Sequence, residues 1–293
     1  MRSSAGTWYL KKVYFVLSKE TKQCFAGLEK QLEREGIEAK ERTKADFCRE
    51  DLAEHAFQRE GALYVTDEES VLKKLLACKL PVAVFLHGGN RKQNLSGAKY
   101  AFEQPEDLNA AYLERVYRRY AGIPWEILQT KRCILRESRA EDVDAFYEIY
   151  KDPEIIRYTD GLYEYKSSER AALQEYIDNV YPYYEFGIWT VILKETGKII
   201  GRAGFNIREG CELPELGYVI GLPWQGKGLA TEVCQAILSY GAEELGFTQV
   251  QAVIHRENRA SLRLAEGLGF QEWDCELPEK KEYVFLVWKG EKR

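Results

Sequence analysis

The sequence predicts two units in tandem: an α/β unit on a small parallel sheet over residues 1–124, and an α+β unit with a mixed sheet over 131–293. Three observations predict this. Residues 13–120 alternate short, near-continuous apolar runs with helical patterns, as in parallel strands covered on both faces. Residues from 187 onward bring three strand-like runs in succession with short turns between them, which reads as antiparallel pairing. Between the two patterns Pro124 breaks the chain, and the apolar residues of Ile123-Pro-Trp-Glu-Ile-Leu-Gln-Thr130 predict a short packed connection rather than a flexible tether.

In the first unit, Val13-Tyr-Phe-Val-Leu17 reads as a strand. A helix over Thr21–Glu35 follows, with Cys24, Phe25, Leu28 and Leu32 on one face and Gly36 as its stop. A short strand near Ile37 comes next, then a buried strand Gly61–Asp67. Asp67 is placed to cap the helix Glu69–Cys78. Strands Pro81–Leu86 and Ala98–Phe102 and a helix Pro105–Tyr120 complete it. Ligands in such sheets bind beyond the carboxyl ends of the strands, here Leu17-Ser18, Thr66-Asp67, Leu86-His-Gly-Gly89 and Phe102-Glu103. The layout is Rossmann-like and resembles the haloacid dehalogenases. That family's nucleophilic Asp-x-Asp-x-Thr is absent from Val16-Leu-Ser-Lys-Glu-Thr21, so the unit is expected to be non-catalytic. His87–Asn90 reads as a plain strand-to-loop turn, or as a small-ligand or regulatory site.

In the second unit, Cys133–Glu137 opens the sheet, and helices follow over Asp142–Lys151 and Ser167–Tyr181. Strands Gly187–Leu193, Ile199–Ile207 and Glu215–Ile220 come next, the first two joined by the turn Glu195-Thr-Gly-Lys198. Gly226-Lys-Gly228 then opens a helix whose apolar residues, Leu229, Val233, Ala236, Ile237 and Tyr240, share one face, with Gly246 as its stop. A strand Gln249–His255, a helix Arg259–Gly267, and strands Phe270–Cys275 and Glu282–Trp288 end the chain.

The mouth of that long helix carries the functional argument. The first helical turn has backbone N–H groups without internal partners and about half a positive charge. Glycines at 226 and 228 clear side chains from the approach, so the site suits a diphosphate. Neither the P-loop spacing nor G-x-G-x-x-G is present.

Gln225-Gly-Lys-Gly-Leu-Ala230, followed by Ile254-His-Arg-Glu-Asn258 and Ser261 through Gly269-Phe270, resembles the acyl-CoA loop and next strand–helix of the GCN5-related N-acetyltransferases (GNAT). Arg132-Cys-Ile-Leu-Arg-Glu, Asp142 and Asp152-Pro-Glu are similar to the ribosomal-protein-alanine acetyltransferase branch. The resemblance covers residues 131–293. It implies a GNAT-fold mixed-sheet domain, an acetyl-CoA co-substrate and an amine acceptor, without a metal.

Acyl transfer to an amine requires a held donor, a neutral amine, and stabilisation of the oxyanion and departing thiolate. By resemblance, Gln225, Gly226, Lys227, Gly228, Leu229, Ala230 and Thr231 hold the pyrophosphate. Backbone groups of Tyr218, Val219 and Ile220 take the pantetheine arm where their strand parts from the next. Lys227 and Arg263 are candidates for the 3′-phosphate, or plain surface charge. Glu215 is the candidate base, or a structural ion pair. Asn258 faces pantetheine or an ordered water and is also a strong N-cap residue. Many members place a thiolate-protonating tyrosine where Ala265 stands. Ser261 is the candidate donor instead, or a hydroxyl of a first helical turn, with Tyr218 as a further alternative. Tyr158, Tyr163, Tyr165, Tyr181, Tyr183, Tyr184, Phe186 and Trp189, with Asp160, Glu164 and Glu185, make an aromatic region suited to a cationic amine or to a core.

Composition is that of a globular protein, with 45% hydrophobic and 13% aromatic residues over 293 positions. The formal charge of −5 argues against nucleic acid as a partner. No apolar run approaches the ~20 residues that span a bilayer, and the first twelve residues lack the apolar core of a secretion signal. The seven cysteines (Cys24, Cys48, Cys78, Cys133, Cys211, Cys234 and Cys275) are odd in number and widely spaced. They imply no metal site, mostly buried thiols and a reducing, cytoplasmic setting. A homodimer is compatible with the sequence. The competing readings are an acyl-CoA-binding regulatory protein without catalysis, and an N-terminal phosphotransfer enzyme.

Overall fold

The structure is a computed structural model that describes residues 8–49, 61–273 and 282–290. Cys275, the far half of the strand expected over 270–275, and the side chain of Cys48 lie outside what is described. The chain divides into two compact units, Met1–Trp125 and Glu126–Arg293.

The first unit runs β1 (Lys12–Val16), α1 (Ala26–Arg34), β2 (Glu38–Glu41), α2 (Lys44–Arg49), β3 (Ala62–Thr66), α3 (Glu69–Ala77), β4 (Val82–Phe85), β5 (Ala101–Phe102) and α4 (Ala110–Tyr120). Its strands are parallel in the order β2-β1-β3-β4-β5, the flavodoxin-type doubly wound order. All five residues of β3 are buried, because both faces of the sheet are covered. Val13, Phe15, Leu63 and Val65 pack with α1 and α4 on one side. Tyr14, Val16, Tyr64 and Val84 pack with α3 on the other. The helix expected over 105–120 begins only at Ala110. Asn109 accepts the Tyr112 N–H at 2.9 Å and starts α4 afresh after a turn at Pro105–Asp107.

Asp67 is not the cap the sequence suggested. It is 1% exposed, and its carboxylate accepts the Ser18 N–H (2.9 Å), the Ser18 and Thr21 hydroxyls (2.9 and 2.6 Å) and His87 Nε2 (3.3 Å). The residue before α3 is Glu68, with no side-chain cap. His87 and Asn90 close a single turn on each other, the plain reading of that stretch.

The second unit runs β6 (Glu126–Gln129), β7 (Cys133–Arg136), α5 (Val143–Tyr150), α6 (Pro153–Ile156), α7 (Lys166–Tyr184), β8 (Ile188–Leu193), β9 (Ile199–Ile207) and β10 (Pro214–Ile220). It continues with α8 (Leu229–Glu243), β11 (Gln249–His255), α9 (Arg259–Gly267), β12 (Gln271–Glu272) and β13 (Tyr283–Lys289). The sheet order is β12-β13-β11-β10-β9-β8-β7-β6, antiparallel throughout except for β10–β11. The connection at 126–129 is therefore an edge strand of this sheet.

On one face Leu216, Ile220, Ala252 and Ile254 pack with Leu229, Val233 and Ile237 of α8 and Ala265 of α9. The other face meets α5, where the Arg202 guanidinium lies 4.8 Å from the Phe146 ring centre. Asp142, 1% exposed, fixes the end of α5 to the sheet. It accepts two hydrogen bonds from Arg136 at 2.7 Å and one from Thr190 at 2.8 Å. Burial pushes its carboxyl up, but the Arg136 hydrogen bonds and charge, with Thr190 and Arg139, outweigh burial and hold it below the usual range. Of the described cysteines, Cys133 and Cys234 are buried whereas Cys24 and Cys78 are exposed, against the expectation of mostly buried thiols. Among the described residues no helix is long and apolar enough to cross a membrane, and no acidic, His or Cys cluster could hold a metal.

Candidate active site

The parallel pair β10–β11 is joined at one position only, Glu215 to Gln251, whereas β10 pairs with β9 along all seven of its residues. The two strands therefore part beyond that pair, and a gap opens towards Ile220 and His255. Val219 is the exception along this edge. Its carbonyl stands 2.1 Å from where a Cβ on Gly201 of β9 would be, so it faces β9 and requires glycine there. The Ile220 carbonyl is also engaged, accepting Gln225 Nε2 at 2.7 Å. Gln225 thus ties the loop to the strand. Of the three residues expected to offer free backbone to the gap, Tyr218 alone has neither restriction.

Beyond Ile220 the chain reaches the mouth of α8. Gly226 and Gly228 both have φ of +71°, and Gly228 is the N-cap, with no side chain to satisfy the first turn. Among the described residues nothing stands within 4 Å of a Cβ placed on Gly226, and the nearest atom to one on Gly228 is Arg132 Nη2 at 3.7 Å. The first turn of α8 thus has no side-chain cap and its glycine approach is clear, which fits the diphosphate of an acyl-CoA. Arg132 braces this mouth. Its N–H and Nε bind the two oxygens of Glu232 at 2.8 and 2.7 Å, and Nη1 donates to the Lys227 carbonyl at 2.8 Å. The pairing offsets the negative charge that Glu232 would otherwise present to an anion. Burial raises the Glu232 carboxyl, and its bonds to Thr130 and Arg132 bring it below the usual range. Alongside, a groove of about 660 Å³ follows the outer face of α8, lined by Thr130, Gly228, Thr231, Glu232 and Gln235 among others. Lys227 turns back onto the Pro223 carbonyl, and Arg263 stands exposed on α9.

Asn258 is the N-cap of α9, its Oδ1 accepting the Ser261 N–H at 3.1 Å. Ser261 Oγ lies 3.0 Å from the Tyr218 hydroxyl, which joins the two donor candidates into one pair across the gap. Burial pushes the Tyr218 hydroxyl up to about 12, against a smaller downward pull from Ser261, so it stays a proton-bearing donor at neutral pH. Glu215 projects from the opposite face of β10 and is held by Arg208, Nε to Oε2 at 2.6 Å and Nη2 to Oε1 at 3.0 Å. The structural ion pair is therefore present. Among the aromatic residues, Tyr181 and Trp189 are fully buried core, while Tyr163, Tyr165 and Tyr183 are exposed.

In the sequence Arg132 carries no role of its own, and nothing marks out Arg208 or Gln251. Their partners are set by strand register and by contacts across 100 residues of chain in the case of Arg132, which no local spacing reveals.

Residues 132–271 match the acetyltransferase (GNAT) domain family. The uncharacterized N-acetyltransferase p20 of Bacillus licheniformis is 31% identical over 148 residues, 50% of this chain and 83% of that protein. This chain belongs to the GNAT acetyltransferase family. A second relative of this acetyltransferase is the uncharacterized N-acetyltransferase YoaA of Bacillus subtilis (strain 168), 32% identical over 149 residues, with the same shares of 50% and 83%. In fold, the acetyltransferase is similar to RimL, a ribosomal L7/L12 α-N-protein acetyltransferase, with a TM-score of 0.50 at 15% identity over 58% of this chain and 96% of that one. The protein is an N-acetyltransferase.

Proposed function

We propose that this acetyltransferase moves the acetyl group of acetyl-CoA to a primary amine, of a small molecule or a protein N-terminus, by direct attack on the thioester. The observation that carries the reading is the single-pair join of β10 and β11, beside the uncapped mouth of α8. Acetyl-CoA, when bound, supplies the activated acyl group.

The chain's own residues do the rest. The amides from Gly226 to Thr231 hold the diphosphate, and Arg132 keeps that loop in place. Tyr218 offers backbone to the arm in the gap. Glu215 takes the proton of the attacking amine on one face of the sheet. Ser261 gives its proton to the departing sulfur on the other, and Tyr218 donates to the Ser261 oxygen so that the hydroxyl hydrogen points away from it. Asn258 fixes the first turn of α9 and hence Ser261.

The test is a screen of amines and peptides that reads CoA release, alongside Glu215→Gln, Asn258→Ala and Ser261→Ala. Turnover with at least one amine, lowered kcat in Glu215→Gln and Ser261→Ala, and weakened acetyl-CoA use in Asn258→Ala are expected. Acetyl-CoA binding without turnover across the panel would support the regulatory reading instead. Calorimetry that registers no heat with acetyl-CoA would remove both.

A further inference from the structure

Gln251 is 1% exposed, yet among the described residues neither its amide nitrogen nor its amide oxygen has a hydrogen-bond partner. A buried amide without partners gives up its hydration with nothing in return, so its presence calls for an explanation. Its place in the sheet supplies one. Gln251 is the strand partner of Glu215, at the one position where β10 and β11 are joined. Opposed residues of paired strands send their side chains to the same face. Gln251 and Glu215 therefore emerge side by side, on the face opposite to Leu216, Ile220 and Ala252, which pack under α8 and α9. Each Glu215 oxygen takes one Arg208 N–H and keeps a further lone pair. The two side chains do not bond each other directly. Two polar groups so placed, with unused capacity on both, make a site for one bridging water.

We propose that Gln251 is a positioning residue that holds, together with Glu215, the water through which the acceptor amine loses its proton. This rests on the reading of Glu215 as the base. The water donates one O–H to Glu215 and the other to Gln251 Oε1, which leaves its oxygen lone pairs directed at the ammonium. The ammonium N–H bond breaks as the water oxygen gains that proton, and the water's own proton passes to the Glu215 carboxylate. The neutral amine, an intact water and a protonated carboxyl remain. A water held only by Glu215 swings about one bond, whereas a second anchor fixes its direction.

The test compares wild type with Gln251→Leu and Gln251→Met, using glycinamide, ethanolamine and propylamine in order of rising basicity. Removing the orphaned amide leaves the melting temperature equal or higher, and Met serves if Leu does not fold. With propylamine, kcat falls by about tenfold to a hundredfold while both KM values stay within about twofold. With glycinamide, more of which is already neutral near pH 7.5, the loss is smaller. As pH rises the gap between variant and wild type closes. Adding Glu215→Gln to Gln251→Leu costs no more than Glu215→Gln alone. An equal loss at every amine and pH, additive losses in the double variant, or wild-type kinetics in both Gln251 variants overturns the proposal. If Glu215→Gln alone is without effect, it is the reading of the base that fails.

Discussion

Replacing Gly228 by alanine separates anion binding from backbone strain. At φ +71° a Cβ-bearing residue costs about 1–2 kcal/mol, and the nearest heavy atom, Arg132 Nη2 at 3.7 Å, adds no clash. At about 2–4 °C per kcal/mol the melting temperature falls by about 2–8 °C. The methyl group also stands among the open amides of the α8 mouth. Loss of one charge-assisted hydrogen bond there, about 1.5–3 kcal/mol, weakens acetyl-CoA binding by about tenfold to a hundredfold. Titration calorimetry reads this directly, and melting curves read it by linkage. At a concentration of acetyl-CoA one hundred times the wild-type Kd, wild type gains about 2.7 kcal/mol and the variant only about 0.4–1.4 kcal/mol. Gly246→Ala is the control, since φ there is +70° with open space around it and it lies beyond the other end of α8. It should reproduce the loss of stability and leave Kd unchanged. The reasoning is refuted if Gly228→Ala melts lower as expected but binds acetyl-CoA within twofold of wild type.

Arg132→Gln frees the Lys227 carbonyl and leaves Glu232 uncompensated beside the mouth, so KM for acetyl-CoA should rise several-fold with kcat little changed in steady-state assays. Tyr218→Phe and Ser261→Ala should each lower kcat, and because they form one hydrogen-bonded pair their double variant should be little worse than Ser261→Ala alone in a mutant cycle. Asp142→Ala leaves the Arg136 guanidinium half-buried without its carboxylate and should cost about 3–5 kcal/mol in denaturant unfolding. The Asp142 carboxyl is depressed in the fold, so its contribution is present above its ordinary value near 3.8 and lost as pH falls through the lower folded one. Tyr218 is the opposite case. Its contribution is complete below pH 10 and is lost as pH rises towards 12, so alkaline titration followed by circular dichroism should show stability declining across that window.

What could be read in the residues was whatever depends on near neighbours. Near-continuous apolar runs marked the parallel strands of the first unit, and glycine spacing marked the mouth of α8. Asn258, a strong cap by chemistry, caps α9. Long-range register was not legible. That Glu215 faces Arg208, that Tyr218 reaches Ser261, and that Gln251 is sealed without a partner among the described residues all follow from how strands pair and which way they twist. Asp67 was misread for the same reason. A polar residue just before a helix suggests a cap, but burial at the ends of three adjacent strands gives it partners on β1's and β4's loops instead. The break at Asn109 is a different kind of miss, a local cap overruled by a longer apolar periodicity.

Since Glu126–Gln129 hydrogen-bonds along β7, a fragment trimmed to start at Lys131 would strip that strand of its outer neighbour. The exposed backbone ladder would then be an adhesive rim, inviting stacking of copies in solution. Anyone excising the transferase half should keep Glu126 onward, or expect precipitation that says nothing about its catalytic competence.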